Sequence, residues 1–388
     1  MLIDSADVGT CISDDEVGGS QGPRPTSTPI VQTSLFTFPT FQALVDGLAT
    51  EHRTHVYTRG QNPTVESVER KLATLERGEA CKCFASGMAA ISAVMLGLLR
   101  SGDHVVFVNH TYGPTLQLAE YLRRFGIDHD LLLDLSPEAV ERAIRPTTRI
   151  LWLESPGTML LRVLDIPAVT TVARERGILS CIDNSWATPL FQKPLTLGAD
   201  IVVHTCTKYL GGHSDLLAGA VVSTEARIRE LFYNASLLNG GILAPFDAWL
   251  LLRGLRTLPA RLRQHEADAL RVAEFLKEHP AVLRVHHPAL AADRALVESQ
   301  LCGYSGLLSF EVAGDFERVS EIIDRLRHIR IGVSWGGVES VILSPNHGTN
   351  GPRLDEQRIP RGLIRLSVGL EGADVLIADL ERALAEAS

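Results

Sequence analysis

The segment ILSCIDNSWATPLFQKPLTLGADIVVHTCTKY (residues 178–209) contains two short apolar runs, and each run is followed by a cluster of polar residues. Similar runs rich in β-branched residues recur along the chain, at Val105–Val108, Ile150–Leu153, Ile178–Ile182, Ile201–His204 and Ala218–Val222. Segments with helical periodicity lie between several of them, at Thr115–Phe125, Pro137–Ile144 and Ile166–Arg176. This alternation predicts an α/β domain whose mostly parallel sheet is covered by helices on both faces.

The C-terminal third of the chain has a different pattern. A long helix is predicted from Phe246 to about His279, and a small α+β domain follows it. Its predicted strands are Leu307–Val312, Ser340–Leu343 and Leu363–Val368. Its predicted helices are Phe316–Arg327 and Asp374–Ala385. Because 388 residues exceed one typical core, we expect three parts: a tail and arm (1–60), the α/β domain (61–245) and the α+β domain (246–388).

The N-terminal region is predicted to be a flexible tail as far as residue 28. Met1–Gly22 is acidic and rich in Gly and Ser, and it lacks the basic start and apolar stretch of a signal peptide. The first helix of the α/β part is predicted at Pro63–Arg77. Its apolar positions Val65, Val68 and Leu72 should face inward, and Glu66, Glu69 and Arg70 should be exposed.

Charge and composition narrow the class of protein. A net charge of −9 without a basic block argues against a nucleic-acid surface. No run of about 18 apolar residues is present, so we expect no membrane span and a cytoplasmic location. The six cysteines mostly lie in apolar stretches, which is typical of buried thiols in a reducing compartment. Cys81 and Cys83 lack a second pair nearby, so we expect no metal site.

Polar residues that could bind one phosphorylated aldehyde cofactor follow the predicted strands. Lys208 could form a Schiff base, which requires a lysine with a lowered pKa. Thr205, Thr207 and the Ser86-Gly87-Met88 turn before a helix could bind a phosphate. Asp183 could pair with a protonated pyridine nitrogen. Each feature alone is weak evidence, but together they fit pyridoxal 5′-phosphate (PLP).

An ordered series of motifs from about Pro29 to the C-terminus strengthens this interpretation. The motifs are YTRGQNPT (57–64), SGMAA (86–90), GDHVVFVNHTYGPT (102–115), ESPGT (154–158), DNSWATPLFQKPL (183–195), HTCTKYLGGHSD (204–215), LRGLRTLPARLRQHE (252–266), SWGGVES (334–340) and LIRLSVGLE (363–371). In these motifs the chain resembles the PLP-dependent enzymes of cysteine and methionine metabolism, the transsulfuration group. The resemblance implies the aspartate-aminotransferase-like fold (fold type I).

The resemblance also implies residue roles. Lys208 would bind the cofactor covalently and move protons, and Asp183 would pair with the pyridinium. Tyr112 would stack on the ring and assist catalysis. The expected phosphate and cofactor contacts are Ser86, Gly87, Met88, Thr205, Thr207 and Ser185, with Tyr57 and Arg59 reaching in from a neighbouring subunit. The expected substrate contacts are Arg365, which would bind the α-carboxylate, with Ser334, Trp335 and Asn184. A dimer-built site follows, and the group usually forms homotetramers.

Within the group, several motifs are similar to those of cystathionine β-lyases of methionine biosynthesis. Trp335 stands where γ-acting relatives usually carry Leu, whereas YTRGQNPT and the Ser86-Gly87-Met88 turn are closer to γ-enzymes. Val333 offers no polar group to a distal substrate amine. We expect β-elimination of cystathionine or a related cysteine thioether to pyruvate, ammonia and a thiol. The alternatives are a γ-lyase, a γ-synthase, an O-acylhomoserine sulfhydrylase, an aminotransferase or a catalytically silent binding protein.

Overall fold

The computed structural model describes residues 3–13 and 25–386, and its larger sheet has seven strands. The strands are β1 Ala80–Phe84, β2 His104–Val108, β3 Asp128–Leu132, β4 Thr148–Glu154, β5 Leu179–Asp183, β6 Ile201–His204 and β7 Gly219–Ser223. Their order is β1-β7-β6-β5-β4-β2-β3. Strand β7 is antiparallel to β1 and β6, and the remaining pairs are parallel. The predicted mostly parallel α/β fold is therefore confirmed.

Helices cover both faces of this sheet, as the alternating pattern predicted. They are Ser5–Ile12, Phe41–Ala49, Pro63–Glu76, Gly87–Leu98, Gly113–Leu122, Pro137–Ala143, Ile166–Glu175, Thr188–Phe191, Glu225–Leu231 and Leu237–Asn239, with shorter turns at Arg123–Phe125, Pro194–Leu197 and Phe232–Ser236. Neighbouring side chains of β4 enter different cores: Leu151 packs in one and Trp152 in the other, and both are fully buried. Two-sided burial explains why these strands are continuous apolar runs.

The smaller sheet has five strands and follows the long helix Pro245–Glu278, which contains Pro259. Its strands are β8 Val282–His286, β9 Leu307–Val312, β10 Arg330–Ile331, β11 Val341–Leu343 and β12 Leu363–Ser367, in the order β10-β11-β12-β9-β8. The accompanying helices are Arg294–Gln300, Phe316–Asp324, Gly351–Glu356 and Ala373–Glu386, with a turn at Pro288–Leu290. This sheet and its helices bury an apolar core of their own, as an α+β domain requires.

The prediction of a flexible N-terminal tail is wrong for part of the tail. Ser5–Ile12 forms a helix with Asp7 and Cys11 buried. The Asp7 carboxylate pairs with Arg77 at 2.8 Å and with Lys193 at 2.7 Å. Composition alone could not reveal these distant cationic partners. Residues 14–24 of the predicted tail lie outside the described residues.

A buried ion pair explains a second difference from prediction. Glu69, expected on the exposed face of its helix, is buried and pairs with Lys82 of β1 at 3.1 Å. Its carboxylate also accepts a hydrogen bond from the Cys83 amide at 2.9 Å. The Lys82 ammonium donates to the Gly60 carbonyl at 2.8 Å. The pair thereby attaches the Tyr57–Gly60 segment to the edge of the large sheet.

The parallel strands place three polar side chains at one edge of the sheet. Strands β4, β5 and β6 end at Glu154, Asp183 and His204, and Glu154 lies directly opposite Asp183 in the register. Ligands of parallel α/β sheets bind beyond the carboxyl ends of the strands. No helix in the described part of the chain is long and apolar enough to cross a membrane. Within residues 3–13 and 25–386, no cluster of His, Cys, Asp or Glu could hold a metal.

Candidate active site

A cavity opens at this carboxyl edge and extends to the small domain. Its polar lining includes Lys208, Asp183 and Tyr112, and Trp335 comes from the small domain. The remaining lining residues are Glu154, Pro156, Thr158, Leu161, Ser185, Trp186, Thr205 and Leu307. The predicted lysine, pyridinium partner and stacking ring therefore line a single cavity.

Lys208 lies in a tight turn after β6, and its amine contacts the small domain. Its amide donates to the Thr205 carbonyl at 3.2 Å, and its Nζ donates to Ser334 Oγ at 2.5 Å. The same Nζ lies 5.2 Å from the centre of the Trp335 ring. Burial, assisted by the positive charge of Arg365, lowers the pKa of Lys208 to about 8, and Asp183 opposes this shift. A lysine with this pKa has an appreciable unprotonated fraction near neutral pH.

Asp183 is a buried carboxylate at the end of β5. Ser185 donates to its Oδ1 from the backbone amide at 2.9 Å and from the hydroxyl at 2.6 Å. The Ser185 hydroxyl oxygen also accepts from the Thr205 amide at 2.7 Å. Burial raises the pKa of Asp183, and the Ser185 hydrogen bonds oppose that shift. A cation bound in the cavity would favour the ionised form, which fits a pyridinium partner.

The helix Gly87–Leu98 points its N-terminus at Thr205. Ser86 caps this helix, since its hydroxyl oxygen accepts from the Ala89 amide at 3.1 Å. A Cβ atom at Gly87 would lie 2.2 Å from Thr205 Oγ1, so glycine is required for this close approach. The free amides of a helix N-terminus beside a threonine hydroxyl form an anion site that suits a phosphate. Met88 is the next residue of this first turn.

Thr207 lies two residues after Thr205 in the chain, but its hydroxyl already has backbone partners. Thr207 Oγ1 accepts from the Ala218 amide at 3.0 Å and lies 3.3 Å from the Ala218 carbonyl. This double contact ties the Lys208 turn to the segment that enters β7. A phosphate contact by Thr207 remains a prediction.

Tyr112 is held at the mouth of the cavity by Glu154. The Tyr112 amide, at the start of helix Gly113–Leu122, donates to Glu154 Oε2 at 2.8 Å. Burial raises the pKa of the Tyr112 phenol, so the phenol keeps its proton at neutral pH. Sequence reasoning missed Glu154 as a site residue, together with Thr158 and Trp186. The available signal was its position, because it follows an apolar run as Asp183 does.

Arg365 is a buried cation near the amine of Lys208. Its side chain is 7% exposed, and its Nη2 donates to the Ser334 carbonyl at 3.1 Å. Burial lowers the pKa of Arg365 to about 10. Among the described residues no acidic side chain forms an ion pair with it. A buried guanidinium without a carboxylate partner is suited to a carboxylate ligand.

Of the predicted residues that do not line the cavity, Asn184, Tyr57 and Arg59 have their described contacts in other parts of the chain. Asn184 is buried, and its amide nitrogen donates to Glu76 Oε1 at 2.8 Å, so it does not line the cavity as a substrate contact would. Tyr57 and Arg59 line a separate surface cavity with Ile242. The expected reach of Tyr57 and Arg59 into a neighbouring subunit therefore remains a prediction.

The fold and cavity together define a class of protein. A lysine with a lowered pKa and a buried aspartate line one cavity, and the helix N-terminus at Gly87 lies against Thr205 of the same lining. These groups fit the aldehyde, pyridinium and phosphate parts of PLP. The chain belongs to the family described as "Cys/Met metabolism PLP-dependent enzyme", which matches residues 16–385. It is thus a PLP-dependent member of the transsulfuration group of carbon–sulfur lyases and synthases.

Individual relatives differ in the reaction that their names describe. A cystathionine γ-lyase of Bacillus subtilis is 40% identical, over 95% of this chain and 97% of that protein. A cystathionine β-lyase of Lactococcus lactis is 39% identical, over 92% of this chain and 93% of that protein. The solved structure of a cystathionine γ-synthase of Xanthomonas oryzae, in complex with aminoacrylate and cysteine, matches with a TM-score of 0.89 at 36% identity. The match covers 99% of this chain and 97% of that chain.

Proposed function

We propose that this enzyme catalyses β-elimination of cystathionine or a related cysteine thioether, releasing pyruvate, ammonia and a thiol. The observation that carries the proposal is the environment of the Lys208 amine, which lies between the Ser334 hydroxyl and the Trp335 ring. When bound, PLP would stabilise negative charge at the substrate Cα. Asp183 would support this chemistry by pairing with the pyridine nitrogen.

Each side chain of the cavity then has a defined task. Arg365 binds the substrate carboxylate with its planar fork and thereby orients the Cα–H bond toward Lys208. Lys208, with a pKa of about 8, accepts the Cα proton. Tyr112 keeps its phenolic proton at neutral pH and can donate it to the departing sulfur. Ser86, Gly87, Met88 and Thr205 would hold the phosphate.

The position of Trp335 supports β- over γ-elimination. After accepting the Cα proton, Lys208 carries a positive charge that the Trp335 ring and Ser334 both stabilise. A γ-elimination needs a second proton to be moved at the neighbouring carbon, whereas β-elimination needs only the Cα proton, which Lys208 accepts between Ser334 and Trp335.

The exposed Val333 supports an uncharged leaving group. Val333 precedes Ser334 in the chain and its side chain is 83% exposed. Val333 offers no polar group to the distal charges of cystathionine, and an alkyl thioether needs none. Small S-alkyl cysteines should therefore be processed at least as well as cystathionine. Val333→Glu should raise kcat/KM for cystathionine relative to S-ethylcysteine, and an unchanged ratio would contradict this role.

A second candidate is γ-elimination, which the identity to the Bacillus subtilis cystathionine γ-lyase favours. Incubating the PLP-loaded protein with cystathionine, S-ethylcysteine, cysteine, methionine and O-acetylhomoserine, and identifying each keto acid, separates the candidates. We expect pyruvate from the cysteine derivatives, whereas 2-oxobutyrate as the main product from cystathionine would establish γ-elimination. Lys208→Ala should abolish turnover throughout. A wild-type protein that binds PLP without turnover of any substrate would instead indicate a silent binding protein.

We also propose that the active site is completed by a second copy of the chain. Tyr57 is 42% exposed, and the nearby helix Phe41–Ala49 exposes apolar side chains, with Phe41 80% and Leu48 51% exposed. Exposed apolar patches of this kind mark protein interfaces. Mixing inactive Arg59→Ala with inactive Lys208→Ala protein should restore part of the activity, because one mixed site carries both wild-type residues. Full activity of a monomer would contradict the arrangement.

A further inference from the structure

Arg261 is a buried cation that the proposed reaction does not use. It belongs to the motif LRGLRTLPARLRQHE (252–266) and lies in the long helix Pro245–Glu278, where it is only 5% exposed. Burial lowers its pKa to about 10. No acidic side chain of the described residues pairs with it. A buried charge without a counterion is unfavourable, so its hydrogen bonds must compensate.

Those hydrogen bonds connect the long helix to the Lys208 turn. The guanidinium donates from Nη1 to the Tyr209 carbonyl at 2.7 Å and from Nη2 to the Gly254 carbonyl at 2.8 Å. Its Nε donates to Thr257 Oγ1 at 2.9 Å. Only a planar fork with several fixed donors can satisfy these acceptors together. One arm therefore binds the residue after Lys208, and the other two bind the helix.

The turn and the helix approach too closely for other side chains. A Cβ atom at Gly254 would lie 2.4 Å from the Gly211 carbonyl oxygen. A Cβ atom at Gly212, whose φ is +72°, would lie 2.0 Å from Arg261 Nη1. On its opposite side the turn meets Gly336, where a Cβ atom would lie 2.8 Å from the Tyr209 amide. The backbone of the turn is therefore in close contact with both the long helix and the Gly336 segment, with Arg261 as its polar anchor.

We propose that Arg261 is a positioning residue that fixes the Lys208 turn so that the amine faces the cofactor aldehyde. This inference rests on the proposed function, in which the Lys208 nitrogen joins the aldehyde carbon and one water leaves. Loss of Arg261 leaves the Tyr209 carbonyl buried without its donor and frees the turn to shift. Reactions between positioned groups are sensitive to displacements of about 1 Å.

The affinity of the apo-protein for PLP, compared with that for pyridoxamine 5′-phosphate, tests the inference. The amine analogue has the same ring and phosphate but cannot bond covalently to lysine. In the wild type, PLP should therefore bind more tightly than the analogue. Arg261→Met should reduce this preference by roughly tenfold, with little change in the affinity for the analogue. The preference of Arg261→Lys for PLP should lie between those of the wild type and Arg261→Met. If Arg261→Met does not fold, Arg261→Lys alone provides the test.

Lys71→Met is the matched control. Lys71 is also buried and donates to the Thr10 and Ser13 carbonyls, at 3.0 and 2.6 Å, far along the chain from the Lys208 turn. Its loss should lower stability without changing the preference for PLP. If both Arg261 variants prefer PLP to within twofold of the wild type, the role of Arg261 is overturned, whereas the proposed function is not affected. A wild type without any preference, and without borohydride-fixed cofactor at Lys208, would overturn the proposed function and this inference with it.

Discussion

The environment of Lys208 predicts that this lysine destabilises the cofactor-free protein. Its pKa falls from 10.5 to about 8, mainly because burial disfavours the charged amine. The native state thus holds fewer protons than the unfolded state between pH 8 and 10.5, and the free energy of unfolding rises with pH in this window. Below pH 8 the full penalty applies, and above pH 10.5 it disappears. At about 1.4 kcal/mol per pKa unit, the shift corresponds to at most about 3.5 kcal/mol.

Lys208→Met removes this charge and keeps an apolar stem of similar length. It also removes the Ser334 hydrogen bond, so we expect a net gain of about 1–3 kcal/mol at pH 7. Urea unfolding of cofactor-free wild type and variant, at pH 7 and above pH 10.5, measures this gain. It should vanish at the higher pH. The control Lys277→Met replaces a lysine that is 53% exposed and should change stability by only a few tenths of a kcal/mol. A variant less stable than wild type at pH 7, or a gain independent of pH, would refute the reasoning.

Three further predictions follow from the buried charges. Under the proposed function Arg365 donates two charge-assisted hydrogen bonds to the substrate carboxylate, so Arg365→Met should lower kcat/KM by about 10²–10⁴. With a decarboxylated thioether as substrate, the variant and the wild type should have the same kcat/KM. Ser334→Ala removes the hydroxyl oxygen that accepts a hydrogen bond from the Lys208 ammonium at 2.5 Å, and should therefore lower the pKa of Lys208 by about one unit. The rate of chemical labelling of the amine as a function of pH measures this pKa, and an unchanged pH profile would contradict the prediction. Lys82→Met leaves Glu69 buried without its cation and should lower unfolding stability by about 3–5 kcal/mol, which a Glu69→Leu second change should largely recover in urea titrations.

The sequence predicted the parts of the fold that depend on local periodicity. β9, Leu307–Val312, was predicted to the residue, and the ends of β5 and β6 correctly located Asp183 and Lys208. The buried charged groups were missed because helical periodicity treats every Glu as exposed. Glu69 is buried only because Lys82, thirteen positions away, supplies a counterion from another element. Such pairing depends on tertiary packing, which no window of sequence contains.

The position of Asn184 could have been anticipated from strand geometry. Successive side chains of a strand point to opposite faces, so Asp183 and the residue after it cannot both face one cavity without a local bend. Asp183 lines the cavity, whereas Asn184 turns toward Glu76. The cross-domain contacts of Lys208 were not predictable in this way. Ser334 has a φ of +76°, an uncommon conformation that directs its hydroxyl to the lysine and its carbonyl to Arg365.

The three ionisable groups of the cavity share one electrostatic property. Burial disfavours the charge on Lys208, Arg365 and Asp183 alike, because it lowers the pKa of both cations and raises the pKa of the acid. Under the proposed function, the substrate carboxylate would pair with Arg365, the pyridinium would pair with Asp183, and the aldehyde would react with the neutral amine of Lys208. Binding therefore relieves three separate penalties that the folded chain sustains through its other contacts. The same groups that bind and react should thus make the cofactor-free protein the less stable form.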